Sequence, residues 1–196
     1  MIRHDHPAVK GVRHVLHVDT SLPGTCLKQN FVRNIQELGN RGLVFEACMR
    51  IEELGDLYQL AVQCPRTNII LNHMGNVDAQ TIYMADKDPN AKVYREKWLA
   101  ELRKLASLKN VVCKVSGLNP SGTWDIDTLR PAIDSVLDIF GEDHVMYGSN
   151  FPVCNVSMTV GRWIEVLDQI TLDRSEVFRQ KLFYENAERI YKISCN

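Results

Sequence analysis

Five short apolar runs punctuate the chain, at residues 12–18, 43–49, 69–74, 111–115 and 145–149. Each is rich in Val, Ile, Leu or Phe and is bounded by Gly, Pro, Asn or charge. Runs without polar alternation suit strands buried on both faces, as parallel strands are. Between them, apolar residues recur at helical spacing. Phe31, Val32, Ile35 and Leu38 form one stripe, and Leu54, Leu57, Ala61 and Cys64 a second. Trp98, Leu102, Leu105 and Leu108 follow, then Ile133, Val136, Leu137 and Phe140, then Trp163, Ile164, Leu167 and Ile170. Gly141 is placed to end the fourth helix, and Ser175 to cap a last helix running toward Ile193.

Strand and helix therefore alternate five times, which argues for parallel βαβ units in one domain over residues 1–196. No Pro- or Gly-rich linker divides the chain. The stretch 75–89 reads as a long connection after a strand's C-terminal end, where barrel enzymes place functional loops. A closed barrel of eight units needs about 250 residues, and five parallel strands left open expose edges. A truncated barrel, a swapped or paired assembly and an open α/β sheet all remain compatible with the pattern.

Composition narrows the function classes. The 23 basic and 24 acidic side chains give a net charge of -1, so no broad field draws nucleic acid or anionic lipid. No apolar run approaches the ~20 residues that span a bilayer, and none marks a signal peptide. The six cysteines, Cys26, Cys48, Cys64, Cys113, Cys154 and Cys195, form no CxxC pair and fit free thiols of a cytoplasmic protein. Trp98 and Trp163 read as packing residues. No Walker or dinucleotide motif is present.

The residues at the strand ends carry the chemistry. They read Gly11-Val12-Arg13-His14, Leu71-Asn72-His73-Met74-Gly75, Cys113-Lys114-Val115-Ser116-Gly117-Leu118 and Tyr147-Gly148-Ser149-Asn150-Phe151-Pro152-Val153, with Asn186-Ala187-Glu188-Arg189-Ile190-Tyr191 near the C-terminus. In this order and spacing the series resembles the amidohydrolase-related family of (β/α)8-barrel hydrolases, in its lactonase-like branch. The resemblance implies a partial TIM barrel of about five C-terminal βα units, N-terminally truncated, because no strand here ends in the family's His-x-His pair. His4-Asp5-His6 copies that spacing, but Pro7 follows at once and no apolar strand precedes it, so it reads as surface loop.

The resemblance also implies roles. His73 matches a histidine that binds metal or polarises a substrate carbonyl. Asn150 and Phe151 stand where the family most often has Asp and Trp; an amide orients water but is no base at neutral pH. Arg13 matches an arginine that holds a substrate carboxylate, against the alternative of a structural ion pair. His17 shares Arg13's alternation face, as a pocket-lining group or an ordinary strand-end histidine. Lys114 and Ser116 share a face of their strand, with Glu46 as a possible carboxylate partner for the lysine. Ser116 is positioned to hydrogen-bond substrate.

The implied activity is hydrolysis of a small lactone or related cyclic ester, impaired by truncation and by Asn150. The alternatives are a decarboxylase or C–N hydrolase on the same scaffold, or an inactive fragment completed by a partner. A divalent metal such as zinc is the implied cofactor, bound weakly or not at all with His73 as its one good ligand. The expected partner is a small molecule, with a second copy covering the open side of the barrel.

Overall fold

The computed structural model describes residues 6–193. His4 and Asp5 of the His-x-His look-alike, and Cys195, lie outside them. The sheet has five parallel strands in sequential order: β1 (Gly11–Val15), β2 (Val44–Cys48), β3 (Ile69–Leu71), β4 (Val111–Val115) and β5 (Val145–Tyr147). Helices connect them, namely Gln29–Asn40, Leu54–Gln63, Ala79–Met84, Pro89–Ala106 and Ile126–Phe140. After β5 come Val160–Ile170 and a C-terminal helix built from Glu176–Gln180, the π-turn Lys181–Glu185 and Asn186–Tyr191. This is a partial (β/α)-barrel of five units: the alternation predicts the five parallel βα units, and the family resemblance implies that they belong to a barrel.

Strand residues alternate between two environments. Phe45, Ala47, Ile69, Leu71, Val111, Cys113, Val115 and Val145 point outward into the large core beneath the helices. Val44, Ile70, Val112 and Met146 point to the concave side, where they form a second, smaller core with Ile190 and Tyr191. The C-terminal helix thus brings its last turn onto the inner face of the sheet. Its end is tied to the far edge: Lys10 Nζ donates to the Lys192 carbonyl at 3.0 Å, and Lys192 Nζ to the Gly42 carbonyl at 3.3 Å.

Helix signals read from sequence hold. Ser175 accepts from the Phe178 amide, and Gly141, at φ 68°, ends its helix. Cys26, Cys48, Cys64, Cys113 and Cys154 are free and buried. Among the described residues, no helix is long and apolar enough to cross a membrane.

Three expectations need correction. Strand β1 stops at Val15 rather than 18, because the carbonyls of Leu16, Val18 and Ser21 turn onto the Arg50 guanidinium at 3.0, 2.6 and 3.1 Å. His17 therefore lies in a loop, not on Arg13's strand. The stretch 75–89 contains the helix Ala79–Met84, capped by Asp78, which accepts from the Gln80 amide at 3.0 Å. The last helix stops at Tyr191, with Lys192 left-handed, short of Ile193.

Candidate active site

The loops at the C-terminal ends of the strands meet over the concave face. A cavity of about 280 Å³ there is lined by Arg13, His73, Lys114, Ser116 and Asn150, with Tyr191 from the C-terminal helix. Five of the six residues singled out from sequence share it. His17 is the exception, since it lines a neighbouring depression with Asn76, Asp78 and Asn119, its ring 3.3 Å from Asn76 Nδ2.

His73 is placed by an unusual turn. It directly follows β3 and Asn72, and His73, Met74, Gly75 and Asn76 all have positive φ, at 56°, 53°, 79° and 55°. For a non-glycine residue that conformation costs about 1–2 kcal/mol. Runs of this kind persist only where surroundings over-determine them, and they cluster at functional sites. Here the anchors are explicit. Asn76 Nδ2 donates to the Met49 carbonyl at 2.6 Å, and the indole of fully buried Trp98 donates to the Met74 carbonyl at 2.9 Å.

The turn lays the His73 ring against the end of β4. Nδ1 lies 2.8 Å from Ser116 Oγ. Gly117, at φ 73°, lets the backbone pass beneath the ring; a Cβ there would come within 2.4 Å of His73 Cγ. Burial, then the positive charges of Arg13 and Lys114, hold the imidazole down to about 4, so it is neutral at pH 7.

Asn150 is also left-handed, at φ 55°, in the loop leaving β5. The second tryptophan anchors that loop: Trp163 Nε1 donates to the Gly148 carbonyl at 2.9 Å. Both tryptophans were readable only as apolar positions on helical stripes. What they add is one indole donor each, satisfied by a carbonyl of a site loop.

Beneath the cavity lies a charge cluster. Register pairs Arg13 with Glu46, and Arg13 Nε and Nη2 donate to Glu46 Oε2 at 2.8 and 2.5 Å. Lys114 Nζ donates to Oε1 at 3.0 Å. The ion pair suspected from sequence is present, and Arg13 belongs to it as well. Burial pushes the Glu46 carboxyl up, but Lys114, the Tyr191 hydroxyl and Arg13 outweigh it and hold the group at about 2. Burial pulls the Lys114 ammonium below its ordinary range, against the attraction of Glu46. Two cations share one carboxylate, so the floor of the cavity carries an excess of positive charge.

The donors present do not fit a zinc site. Among the described residues, no group of three or more His, Cys, Asp or Glu side chains is placed to hold a metal ion. His73 is the one imidazole lining the cavity, its Nδ1 is engaged by Ser116, and position 150 offers an amide in place of a carboxylate. A catalytic zinc usually takes three protein ligands.

Comparison with known proteins gives the family. The family model described as Amidohydrolase matches residues 2–193. The L-fucono-1,5-lactonase of Burkholderia multivorans is 28% identical over 171 residues, covering 80% of this chain and 56% of its own. An uncharacterized protein, y4mH of Sinorhizobium fredii, is 28% identical over 193 residues, 94% of this chain and 61% of its own. The chain thus spans less than two thirds of the length of these curated relatives. Among solved structures, an amidohydrolase from Burkholderia multivorans with bound HEPES superposes with a TM-score of 0.83 at 25% identity, over 94% of this chain and 65% of that one. An amidohydrolase from the same organism has also been solved with zinc bound.

Proposed function

Because the chain belongs to the amidohydrolase family, we propose that its cavity is the working site of a hydrolase that opens a small lactone ring. Support comes from one juxtaposition above all: a neutral imidazole and its serine partner stand over two cations that share a single carboxylate. The lactonase named among the relatives fits the same reading.

In this reading Ser116 donates its hydroxyl hydrogen to His73 Nδ1, which leaves the hydrogen of the neutral ring on Nε2. Nε2–H then donates to the lactone carbonyl oxygen. Such a donor stabilises the charge that develops as water adds, in a setting already ordered before reaction. The Asn150 amide orients the attacking water without accepting its proton. One proton of the water passes through solvent to the ring oxygen, which departs as a hydroxyl, and the other is released to solvent as the second product group ionises to a carboxylate. Lys114 and Arg13 provide the positive charge that receives it. Arg13 is already held by Glu46, so it contributes charge and a residual donor rather than a free bidentate fork. No step is routed through a metal, for which the donor set is inadequate.

The test is turnover of a panel containing L-fucono-1,5-lactone, a γ-lactone, an amide and a hydroxybenzoate. Ring opening confined to the lactones supports the proposal. Carbon dioxide release from the aromatic acid, with the lactones untouched, assigns the cavity to a decarboxylase instead.

A further inference from the structure

Tyr191 closes the C-terminal motif, and the ring-opening scheme gives it no task. The asparagine of that motif has a structural one, since Asn186 Nδ2 donates to the carbonyls of Glu142 and Val145 at 2.7 Å each, fixing the entry to β5. Tyr191 reaches elsewhere. Its ring packs against Val44, Ile70, Val112 and Met146 on the concave face. Its hydroxyl donates to Glu46 Oε1 and accepts from Lys114 Nζ at 2.9 Å, across 145 and 77 residues of chain.

The hydrogen-bond capacity of the cluster is then nearly filled. A carboxylate has about four acceptor sites. Glu46 receives Tyr191 and Lys114 on Oε1, and two nitrogens of Arg13 on Oε2. An ammonium has three hydrogens. Lys114 gives one to Glu46 and one to Tyr191, and it lines the cavity with the third unassigned.

We propose that Tyr191 is a positioning residue for the cavity: its hydroxyl fixes Lys114 and Glu46 so that the remaining ammonium hydrogen is presented to a carboxylate of the ligand. The role in turnover rests on the lactone-opening reading, whose product carries such a carboxylate; the hold on Lys114 stands without it. Packing alone does not require the hydroxyl. The ring fills the inner core, and Lys10, Gly42 and Lys192 tie down the end of the helix independently.

The experiment uses the full chain with ¹³Cε-labelled lysine, as wild type, Tyr191→Phe and Lys192→Ala, with Lys114→Arg to assign the resonance. A lysine held in one orientation shows two distinct ε-proton shifts, and a freed one shows them averaged. Tyr191→Phe is expected to retain the fold, reduce the Lys114 splitting by at least about half, and weaken binding of citrate, used as a carboxylate probe, by roughly three- to tenfold, the value of one hydrogen bond. Lys192→Ala loosens the helix end but is expected to leave both readings unchanged. An unchanged splitting in Tyr191→Phe overturns the proposal whatever the probe does, as does an equal loss in Lys192→Ala. A reduced splitting with citrate bound by neither protein leaves Tyr191 holding Lys114 and overturns instead the reading of the cavity as a carboxylate site.

Discussion

His73 and Ser116 come from different strand ends, 43 residues apart, yet His73 Nδ1 and Ser116 Oγ stand 2.8 Å apart. The contact exists because two local oddities coincide. A left-handed turn swings the imidazole off the end of β3, and a glycine at position 117 leaves room for it. Neither device is needed to build the sheet.

Gly117→Ala tests that coincidence. The new methyl falls within 2.4 Å of the ring on a backbone at φ 73°. We expect a loss of about 1–3 kcal/mol of stability in urea unfolding, with displacement of the His73 resonances.

The histidine itself should titrate near pH 4 rather than near 6.5. The sign of the stability effect follows. As pH falls from 6.5 toward 4 the unfolded chain takes up the proton first, so this group favours unfolding progressively across that window. A ¹³C-detected histidine titration measures the midpoint. A value near 6.5 would mean that the ring is neither buried nor beside Arg13 and Lys114.

Glu46 works in the next window down. Its carboxyl is held at about 2, from an ordinary 4.5, so the stability it contributes is present above pH 4.5 and disappears as pH falls toward 2. Glu46→Gln strands Arg13 and Lys114 without a counter-charge. Breaking a buried pair from one side typically costs about 3–5 kcal/mol. Because Arg13 is half exposed, we expect the lower end of that range at pH 7 by chemical denaturation, and little difference from wild type near pH 2.

Trp98→Phe keeps most of the apolar volume but removes the indole donor to the Met74 carbonyl. A buried acceptor left without its partner costs about 1–3 kcal/mol. Hydrogen exchange at residues 73–76 should accelerate more than exchange in β2 or β4.

The fold was legible where burial dictates sequence. The central strands β2, β3 and β4 are almost wholly buried and leave short apolar runs bounded by turn residues, whereas β1, largely exposed at the edge of the sheet, was found by its Val and Leu positions. His73 and Asn150 were singled out because the strand ends that carry them resemble those of the amidohydrolase family, and Lys114 and Ser116 because they share a face of β4; the structure brings all four to one cavity. His17 was misplaced because the end of β1 is set by Arg50, whose guanidinium gathers three loop carbonyls from more than 25 residues away. The helix Ala79–Met84 is too short to show a period. The bond from Tyr191 to Glu46 spans 145 residues, beyond the reach of any local pattern.

Asn150 poses the sharpest chemical question. An amide cannot accept a proton at neutral pH, whereas a carboxylate at the same left-handed position can. Aspartate also tolerates this backbone. Asn150→Asp is therefore expected to raise kcat for lactone opening by about 10², the lower end of what a positioned base contributes. Unchanged turnover would show that the attacking water is not handled from this loop.

Lactone opening depends above all on His73 as the group that meets the carbonyl. Steady-state hydrolysis of L-fucono-1,5-lactone by wild type and His73→Asn, both shown folded by circular dichroism, measures it. Ring opening by the wild type is expected, with a fall in kcat/KM of about 10²–10³ in the variant, the loss typical of one oxyanion donor. Equal rates in the two proteins, or no turnover of any lactone by the folded wild type, would contradict it.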